Sequence, residues 1–201
     1  MGAEQIYDQF SRKEGIYFMA EAAIFLADGV EEIEALTVVD LLRRAGIDID
    51  MVSINGSYDI TGSHGIGIKL DRLMEDVNWD ELKILVLPGG MPGTKHLMAC
   101  SPLTDKLKEF NENGKLLAAI CAAPTVLGVN GILEGRKATC YPGCEDNLHA
   151  GEYLTESVVE CDNVITSRGL GTAIDFAGAI IAKLRDKALA DDVLDKVIYT
   201  R

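Results

Sequence analysis

The stretch KLLAAICAAPTVLG, residues 115–128, joins a continuous apolar run to a segment that carries a proline. The run KLLAAI is typical of a strand that is buried on both faces of a parallel sheet. Pro124 suits the first turn of a helix, where a backbone N–H has no intrahelical partner to lose. The stretch therefore predicts a strand, a tight turn and a helix, with Cys121 at the turn.

The same alternation of strand and helix continues in both directions along the chain. Strands are predicted at residues 21–29, 47–54, 63–71 and 83–90, and helices at residues 30–46, 101–114, 124–133 and 172–184, before a more polar terminal helix. Residues 157–167 predict two short strands around the turn pair Asp162–Asn163. Strands that alternate with helices form βαβ units, so we expect an α/β fold whose mainly parallel sheet is covered on both faces. Sites in such folds lie beyond the carboxyl ends of the strands.

The composition indicates one α/β domain and argues against several kinds of partner. The chain has 201 residues, of which 48% are hydrophobic, enough for a sizeable core. The net charge is −13, and Lys and Arg never form a run longer than two, so we expect neither nucleic acid nor an anionic membrane as a partner. No apolar run reaches the roughly 18 residues that a membrane-spanning helix needs.

The first 18 residues do not match the α/β pattern of the rest of the chain. Charged residues 12–14 interrupt their apolar stretch, so they lack a secretory pattern and a cytoplasmic location is expected. The odd number of five cysteines argues against a disulfide framework. We assign residues 1–18 to an N-terminal extension and residues 19–201 to the domain. Translation that starts at Met19, behind purine-rich codons for residues 12–15, is one explanation, and an ordinary or artificial extension from Met1 is the other.

Cys121 has two interpretations. A cysteine at a strand-to-helix turn lies near the positive end of the helix dipole and near free backbone N–H groups, which favour the thiolate and predict a pKa below the usual value of roughly 8.5. Small neighbours would leave room for such a turn. A free cysteine is also among the most commonly buried residues, so Cys121 could instead be a packing residue of the core.

Glu34 is the candidate partner of Cys121. On a helix over residues 30–46 it shares a face with three apolar residues, Val38, Leu41 and Ala45. It would therefore point at the core, on the Cys121 side of the sheet, and a buried carboxyl group must be hydrogen-bonded or protonated. A partly solvated position in the first turn is the alternative. Glu31 and Glu32 are expected at the surface, where they would complement the helix dipole.

The segment LPGG, residues 87–90, supplies a third loop at the same edge of the sheet. Gly89 and Gly90 would let the backbone N–H groups approach a ligand closely. Together with the N–H of Ala122 they could form an oxyanion pocket beside the sulfur.

These motifs, in this order, closely resemble the DJ-1/PfpI (ThiJ/PfpI) family in its DJ-1-like branch. The resemblance runs from Ala20 to about Ala188 through FLADGVEEIEALTVVDLLRRAGI, GSHGI, VLPGG, AAICAAPTVL, KATCYPG and ITSRGLGTAIDFA. It implies a flavodoxin-like three-layer sandwich of the class I glutamine amidotransferase-like kind, a homodimer, and a reactive cysteine on a strained nucleophile elbow. Matched by motif, Cys121 would be that cysteine and Glu34 its protonated partner, with Gly90 and Ala122 as backbone donors.

The sequence departs from the family at two positions and resembles neither of two related branches. Tyr141 stands in TCYP where some members have the histidine that is proposed as acid/base of their glyoxalase activity. A tyrosine hydroxyl can donate a hydrogen bond, but phenols titrate at about pH 10, so it is a poor base. His64 falls where relatives often carry an arginine near the dimer interface, and it could either approach the partner's Cys121 or be an ordinary surface or interface histidine. Ala122 replaces the histidine of the protease branch, so proteolysis is not expected, and no histidine matches the triad of the amidotransferases.

Two further patterns are set aside. Cys140 and Cys144 have a spacing compatible with a metal, but no second ligand pair accompanies them, so no metal site is expected. RGLGTAI, residues 168–174, lacks the third glycine of a dinucleotide fingerprint and comes late in the chain, so no cofactor is expected.

Two functions are compatible with these residues. The first is a cofactor-free glyoxalase- or deglycase-type enzyme in which the Cys121 thiolate attacks a reactive carbonyl compound and Glu34 moves the proton. The second is a non-catalytic oxidative-stress sensor in which Cys121 is oxidised.

Overall fold

A seven-stranded sheet forms the centre of the molecule in the computed structural model, which describes residues 20–200. Its strands are β1 (Ala22–Leu26), β2 (Ile49–Ser53), β5 (Arg72–Leu73), β6 (Ile84–Leu87), β7 (Leu116–Ile120), β10 (Val158–Cys161) and β11 (Val164–Ser167), in the order β10-β11-β7-β6-β1-β2-β5. All neighbouring strands are parallel except β10 and β11, which form the predicted hairpin. The predicted mainly parallel sheet is confirmed.

Helices cover both faces of the sheet. They are α1 (Glu32–Arg44), α2 (Gly93–Ala99), α3 (Ser101–Glu112), α4 (Pro124–Val129), α5 (Ala173–Leu184) and α6 (Lys187–Lys196). Successive residues of a strand point to opposite faces, so Ile24 packs with α1, α5 and α6, whereas Phe25 packs with α2, α3 and α4. Each face therefore has its own core, and the chain folds as the flavodoxin-like three-layer sandwich that the resemblance implied.

The short elements were predicted less well than the long ones. The strand expected over residues 63–71 is the second arm of a small hairpin, β3 (Asp59–Thr61) and β4 (Gly67–Lys69), and residues 62–66 form its tip. The helix expected over 124–133 ends at Val129. Five strands and helices of the described chain were not predicted: β3, β5, α2 and the two-residue strands β8 (Lys137–Ala138) and β9 (Glu152–Tyr153). These elements are too short for a periodic pattern to develop.

Two predictions concern the N-terminal segment and the membrane. The proposed extension over residues 1–18 and the alternative start at Met19 lie outside the described residues. Within residues 20–200, no helix is both long enough and apolar enough to cross a membrane.

The carboxyl ends of four adjacent strands bring four loops together. Strand β1 leads to Gly29 and the start of α1, β6 leads to residues 88–92, β7 leads to Cys121, and β11 leads to Gly169. Two backbone bonds connect the first two loops, from Glu31 N–H to the Gly89 carbonyl (3.0 Å) and from Gly93 N–H to the Gly29 carbonyl (3.1 Å). This edge of the sheet is therefore where the candidate residues meet.

Candidate active site

Cys121 directly follows β7 and has a left-handed backbone conformation, with φ at +66°. Its N–H donates to the carbonyl of Ser167 (2.9 Å), and its own carbonyl accepts from the N–H of Tyr141 (2.7 Å). A non-glycine residue in a sparsely populated backbone region costs on the order of 1–3 kcal/mol and persists only where its surroundings fix it. Cys121 thus lies on a strained turn that hydrogen bonds on both sides hold in place.

Glu34 lies beside Cys121 and is 1% exposed, as the helix pattern predicted. Its Oε2 accepts the N–H of Gly89 at 2.9 Å, and it also accepts the backbone N–H of Leu170 and a hydrogen bond from the Cys121 side chain. The carboxyl group is therefore anchored between the loops that follow β6 and β11, in contact with the thiol.

Gly89 is the residue that allows the carboxyl group and the thiol to meet. A Cβ at this position would lie 2.6 Å from Cβ of Cys121, 2.7 Å from Oε2 of Glu34 and 3.0 Å from Sγ of Cys121. All three separations are shorter than van der Waals contact, so any side chain would push the pair apart. The glycine predicted for close backbone approach is thus required by the site itself.

Backbone donors surround the sulfur. The N–H groups of Gly90 and Ala122 both form hydrogen bonds to the Cys121 side chain. These are the two donors that the motifs indicated. Cys121 is only partly buried, so a small molecule could reach it.

The pKa of Glu34 is raised from 4.5 to about 7 by its burial. The hydrogen bonds from Cys121 and from Gly89 N–H oppose this rise, and the negative charge of Glu31 adds to it. Below about pH 7 the carboxyl group is therefore mainly protonated, which is the state that the resemblance implied for it.

The predicted direction of the Cys121 pKa is wrong as long as Glu34 is ionised. Burial, the charge of Glu34 and the hydrogen bond to it raise the pKa of the thiol, and the N–H groups of Ala122 and Gly90 lower it by less. The prediction took account of the turn and not of the buried charge next to it. Protonation of Glu34 removes that charge and turns the carboxyl group into a donor to the sulfur, so the thiolate is favoured when Glu34 holds the proton.

The predicted surface position of Glu32 is also wrong. It was expected at the surface, yet it is 1% exposed and buried beneath the tip of the β3–β4 hairpin. It accepts hydrogen bonds from the backbone N–H of His64 (2.8 Å) and from His64 Nδ1 (2.9 Å). Burial alone would raise its pKa, but these bonds and one from the N–H of Ile66 lower the pKa of Glu32 to about 2.

His64 and Tyr141 lie at the rim of the site. The His64 side chain is 68% exposed and is bonded to Glu32, and within the described chain it is not a contact of Cys121. Tyr141 is 52% exposed. A Cβ at Gly169 would lie 3.2 Å from the Tyr141 ring and 4.0 Å from the sulfur of Cys121, so the ring faces the sulfur across this glycine.

Sequence reasoning missed the loop after β11. Leu170 N–H bonds Glu34, the Ser167 carbonyl fixes Cys121, and Gly169 separates Tyr141 from the sulfur. The segment was weighed as a dinucleotide fingerprint and used as a motif of the family resemblance, but no residue of it was predicted to lie at the site. Its position after a strand that pairs with β7 was the signal that could have placed it at the site.

One group of side chains within residues 20–200 could hold a metal ion. The ligand atoms of Glu31, Glu32 and His64 lie within 4.8 Å of one another. They are already joined by hydrogen bonds and ion pairs. Cys140 is fully buried and Cys144 is partly buried, and both are free thiols.

The fold and the site together define a flavodoxin-like protein with a cysteine on a strained turn and a buried carboxyl partner. The chain belongs to the DJ-1/PfpI family, whose family model matches residues 20–183.

Named relatives support this assignment. Protein dj-1beta of Drosophila melanogaster is 38% identical over 174 residues, which are 86% of this chain and 93% of that protein. Glutathione-independent glyoxalase DJR-1.2 of Caenorhabditis elegans is 34% identical over 169 residues, 83% of this chain and 89% of that protein. Protein DJ-1 homolog B of Arabidopsis thaliana is 39% identical over 170 residues, 84% of this chain, but the chain spans only 39% of that longer protein.

Solved structures agree with the fold. Toxoplasma gondii DJ-1 in its oxidized form has a TM-score of 0.86 and 34% identity, and the match covers 90% of this chain and all, 100%, of that one. Drosophila melanogaster DJ-1beta has a TM-score of 0.85 and 35% identity, with 92% and 100% of the two chains covered.

Proposed function

We propose that this protein is a cofactor-free enzyme that converts reactive carbonyl compounds, with Cys121 as nucleophile and Glu34 as proton carrier. The observation that supports this most directly is the approach of thiol and carboxyl group across Gly89, where a Cβ would lie within 3.0 Å of both. A packing cysteine would need neither a strained turn nor a buried carboxyl group in contact with it. The substrate class is a 2-oxoaldehyde such as methylglyoxal.

The first step is addition of the sulfur to the aldehyde. The Cys121 thiolate forms a C–S bond to the aldehyde carbon, and the electron pair of the C=O bond moves to oxygen. The N–H groups of Gly90 and Ala122, which lie at the sulfur, would stabilise the negative charge during this step. The oxygen then takes a proton, which gives a hemithioacetal.

Glu34 carries the proton in the second step. Once it has given up its own proton, its carboxylate can remove the C–H proton of the hemithioacetal carbon and return it to the neighbouring carbon, while the hydroxyl proton of the hemithioacetal carbon moves to the carbonyl oxygen of that neighbour. This isomerisation gives the thioester of a 2-hydroxy acid without an external oxidant. Water then cleaves the thioester and releases the hydroxy acid and the thiol. A pKa of about 7 is well matched to a group that must both donate and accept a proton near neutral pH.

The C. elegans relative named as a glutathione-independent glyoxalase is in line with this proposal. Tyr141 is the departure that bears on it, because the histidine of some members is replaced by an exposed phenol that faces the sulfur across Gly169. In the proposed mechanism Glu34 performs the proton transfers alone, and Tyr141 contributes at most a hydrogen bond to substrate.

A second function, an oxidation sensor, is favoured by the partial exposure of the sulfur next to two N–H donors. A hydroperoxide would transfer one oxygen to the thiolate, giving a sulfenate and releasing water or an alcohol, and the same donors would stabilise the product. The Toxoplasma relative was solved in an oxidized form.

One experiment separates the two functions. Lactate formation from methylglyoxal is measured for the wild type, Cys121→Ser, Glu34→Gln and a control, Cys161→Ser. Cys161 precedes the β10–β11 turn at the opposite edge of the sheet, so its loss should leave turnover unchanged. Turnover that depends on both Cys121 and Glu34 supports the enzyme. Absence of turnover, together with mild peroxide adding oxygen to Cys121 alone, supports the sensor. If neither turnover nor this oxidation is observed, Cys121 is a packing residue.

We also propose that the chain forms a homodimer, as the resemblance implies. Exposed apolar side chains border the site: Ile33, Ile66, Met91 and Leu170. Light scattering during size-exclusion chromatography should give twice the chain mass. Ile66→Asp should weaken the dimer, whereas Ile198→Asp, at a position 86% exposed on the C-terminal segment, should not. A monomer in the wild type would refute the proposal.

A further inference from the structure

Three side chains that can ligate a metal meet where the tip of the β3–β4 hairpin lies on the start of α1. The ligand atoms of Glu31, Glu32 and His64 lie within 4.8 Å of one another. The two glutamates come from the helix, and His64 follows Glu32 by 32 residues. Backbone bonds fasten the two elements, from Ser63 N–H to the Val30 carbonyl (2.8 Å) and from His64 N–H to Glu32 Oε1 (2.8 Å). Tertiary structure therefore assembles this group from two separate segments.

The distances between the ligand atoms suit one small cation. His64 Nδ1 is 2.9 Å from Oε2 of Glu32 and 3.5 Å from Oε2 of Glu31. The hydroxyl of Ser63 is 3.3 Å, 3.4 Å and 3.1 Å from Glu31 Oε2, Glu32 Oε2 and His64 Nδ1. Zinc binds imidazole nitrogen and carboxylate oxygen at about 2.0–2.2 Å, which places the ligand atoms of a tetrahedral site about 3.3–3.6 Å apart. An ion could therefore lie between these four atoms after only small shifts of the side chains.

The local charge also favours a cation. The side chain of Glu32 is 1% exposed and that of Glu31 is 14% exposed. Among residues 20–200, His64 is the only side chain that forms an ion pair with either carboxylate. It carries at most one positive charge, and the start of α1 supplies about half of one, so two carboxylates are not fully compensated. A divalent ion would supply the missing charge, with His64 bound to it as a neutral imidazole.

We propose that Glu31, Glu32 and His64 bind a divalent zinc-type metal ion, with the Ser63 hydroxyl or a water molecule in the fourth position. One imidazole and two carboxylates suit zinc or a similar first-row ion, whereas magnesium and calcium prefer oxygen ligands alone. The imidazole is 68% exposed, so the ion can enter from solvent. This inference concerns binding and does not rest on the proposed function.

The test is isothermal titration calorimetry of Zn²⁺ into the full chain, without an affinity tag and stripped of metal with EDTA. The wild type should bind one ion at this site. His64→Asn removes the imidazole but keeps a short donor towards Glu32, and Glu31→Gln removes one carboxylate. Each should weaken binding at least about 10-fold, because even changes to groups that only orient metal ligands cost roughly 10–100-fold.

Two control variants separate this site from other zinc ligands. His96→Asn is the matched control, because His96 is also exposed but bonds the Asp28 carbonyl (3.1 Å). Cys121→Ser removes the thiol that could bind zinc together with Glu34. Both variants should retain the wild-type affinity.

Co²⁺ provides a spectroscopic check of the ligand set. With nitrogen and oxygen ligands it shows visible d–d bands alone, whereas a thiolate ligand adds intense charge-transfer absorption in the near ultraviolet. The wild type should show only the visible bands, and His64→Asn should reduce them.

Urea unfolding checks that the loss of binding is not a loss of folding. A cooperative transition of His64→Asn in EDTA would show that this variant folds. Added Zn²⁺ should raise the unfolding midpoint of the wild type but not that of His64→Asn, because the three ligands come together only in the folded chain.

Three results would overturn the inference. They are no Zn²⁺ bound by the wild type, binding of unchanged strength in His64→Asn, and binding that is lost in Cys121→Ser with charge-transfer absorption in the wild type. None of these measurements reads turnover, so their outcome is independent of whether the protein converts methylglyoxal.

Discussion

Glu32 and Glu34 stand two residues apart on the first turn of α1, both 1% exposed, and their pKa values move in opposite directions. The pKa of Glu32 falls to about 2, whereas that of Glu34 rises to about 7. Glu32 faces an imidazole and the backbone N–H groups of a hairpin tip. Glu34 faces a thiol and lies near the like charge of Glu31. Burial acts to raise the pKa of both carboxyl groups. The hydrogen bonds and charges around each one therefore decide that Glu32 stays an anion and that Glu34 can exchange a proton.

The largest expected effect comes from placing a side chain at Gly89, between Cys121 and Glu34. Gly89→Ala should reduce turnover of methylglyoxal by at least about 100-fold, since misplacing reacting groups by about 1 Å has effects of this size. Gly171→Ala, at a position where a Cβ meets nothing within 4 Å, should leave turnover unchanged. Turnover in Gly89→Ala within a few-fold of the wild type would mean that the contact between thiol and carboxyl group is not needed.

Glu34→Gln should change how stability depends on pH. The folded-state pKa of Glu34 lies above its usual 4.5, so the stability that its proton confers is complete below pH 4.5 and is lost as the pH rises to about 7. The loss amounts to roughly 3 kcal/mol for a rise of this size. Urea unfolding at a series of pH values should show a smaller fall between pH 5 and 8 in Glu34→Gln than in the wild type. Parallel curves would show that Glu34 is not a high-pKa carboxyl group.

Glu32→Gln should act at the opposite end of the pH scale. The pKa of Glu32 is lowered from 4.5 to about 2, so its contribution is present above pH 4.5 and disappears as the pH falls towards 2. Since the imidazole partner is exposed and screened by solvent, we expect Glu32 to contribute about 1–3 kcal/mol to the free energy of unfolding at neutral pH. The variant should unfold at lower urea concentration at pH 7 and lose less stability on acidification. If Glu32→Gln lost as much stability on acidification as the wild type, Glu32 would not have a lowered pKa, and the two glutamates would not differ in this way.

The smallest effect is expected at Tyr141. Tyr141→Phe should lower turnover by no more than about three-fold, because a tyrosine hydroxyl can donate a hydrogen bond to substrate but is a poor general base. Tyr141→His should raise turnover, because an imidazole titrates near neutral pH. Steady-state lactate formation measures both. A far larger loss in Tyr141→Phe would assign the phenol a direct role in proton transfer.

The sequence predicts the fold well because the strands that form the sheet centre are continuous apolar runs. It also predicts Glu34, because one helical face repeats at positions 34, 38 and 41 whatever packs against it. It could not separate Glu32 from a surface residue, because the burial of Glu32 comes from a hairpin tip about 30 residues further along the chain. A Cβ at Gly62 in that tip would lie 2.2 Å from Oε1 of Glu32.

The prediction of a lowered pKa for the Cys121 thiol failed for the same reason, because the sequence does not show contacts between residues far apart in the chain. The turn and the N–H of Ala122 are local and visible in the sequence, and they do lower the pKa. Burial and the charge of Glu34 are long-range effects and outweigh them. Local motifs therefore identify which residues form the site, and tertiary contacts decide their protonation.

Whether Cys121 and Glu34 share one proton can be read from the rate of Cys121 alkylation as a function of pH. For two groups that titrate as a pair, the protons leave in two steps that belong to the pair. The wild-type pair should lose its first proton near pH 7, and reactivity should rise there because Glu34 keeps the remaining proton in part of the molecules and leaves Cys121 as a thiolate; a second rise should follow at much higher pH. Glu34→Gln should show a single step with no inflection near pH 7. A step near pH 7 that survives in Glu34→Gln would contradict the account.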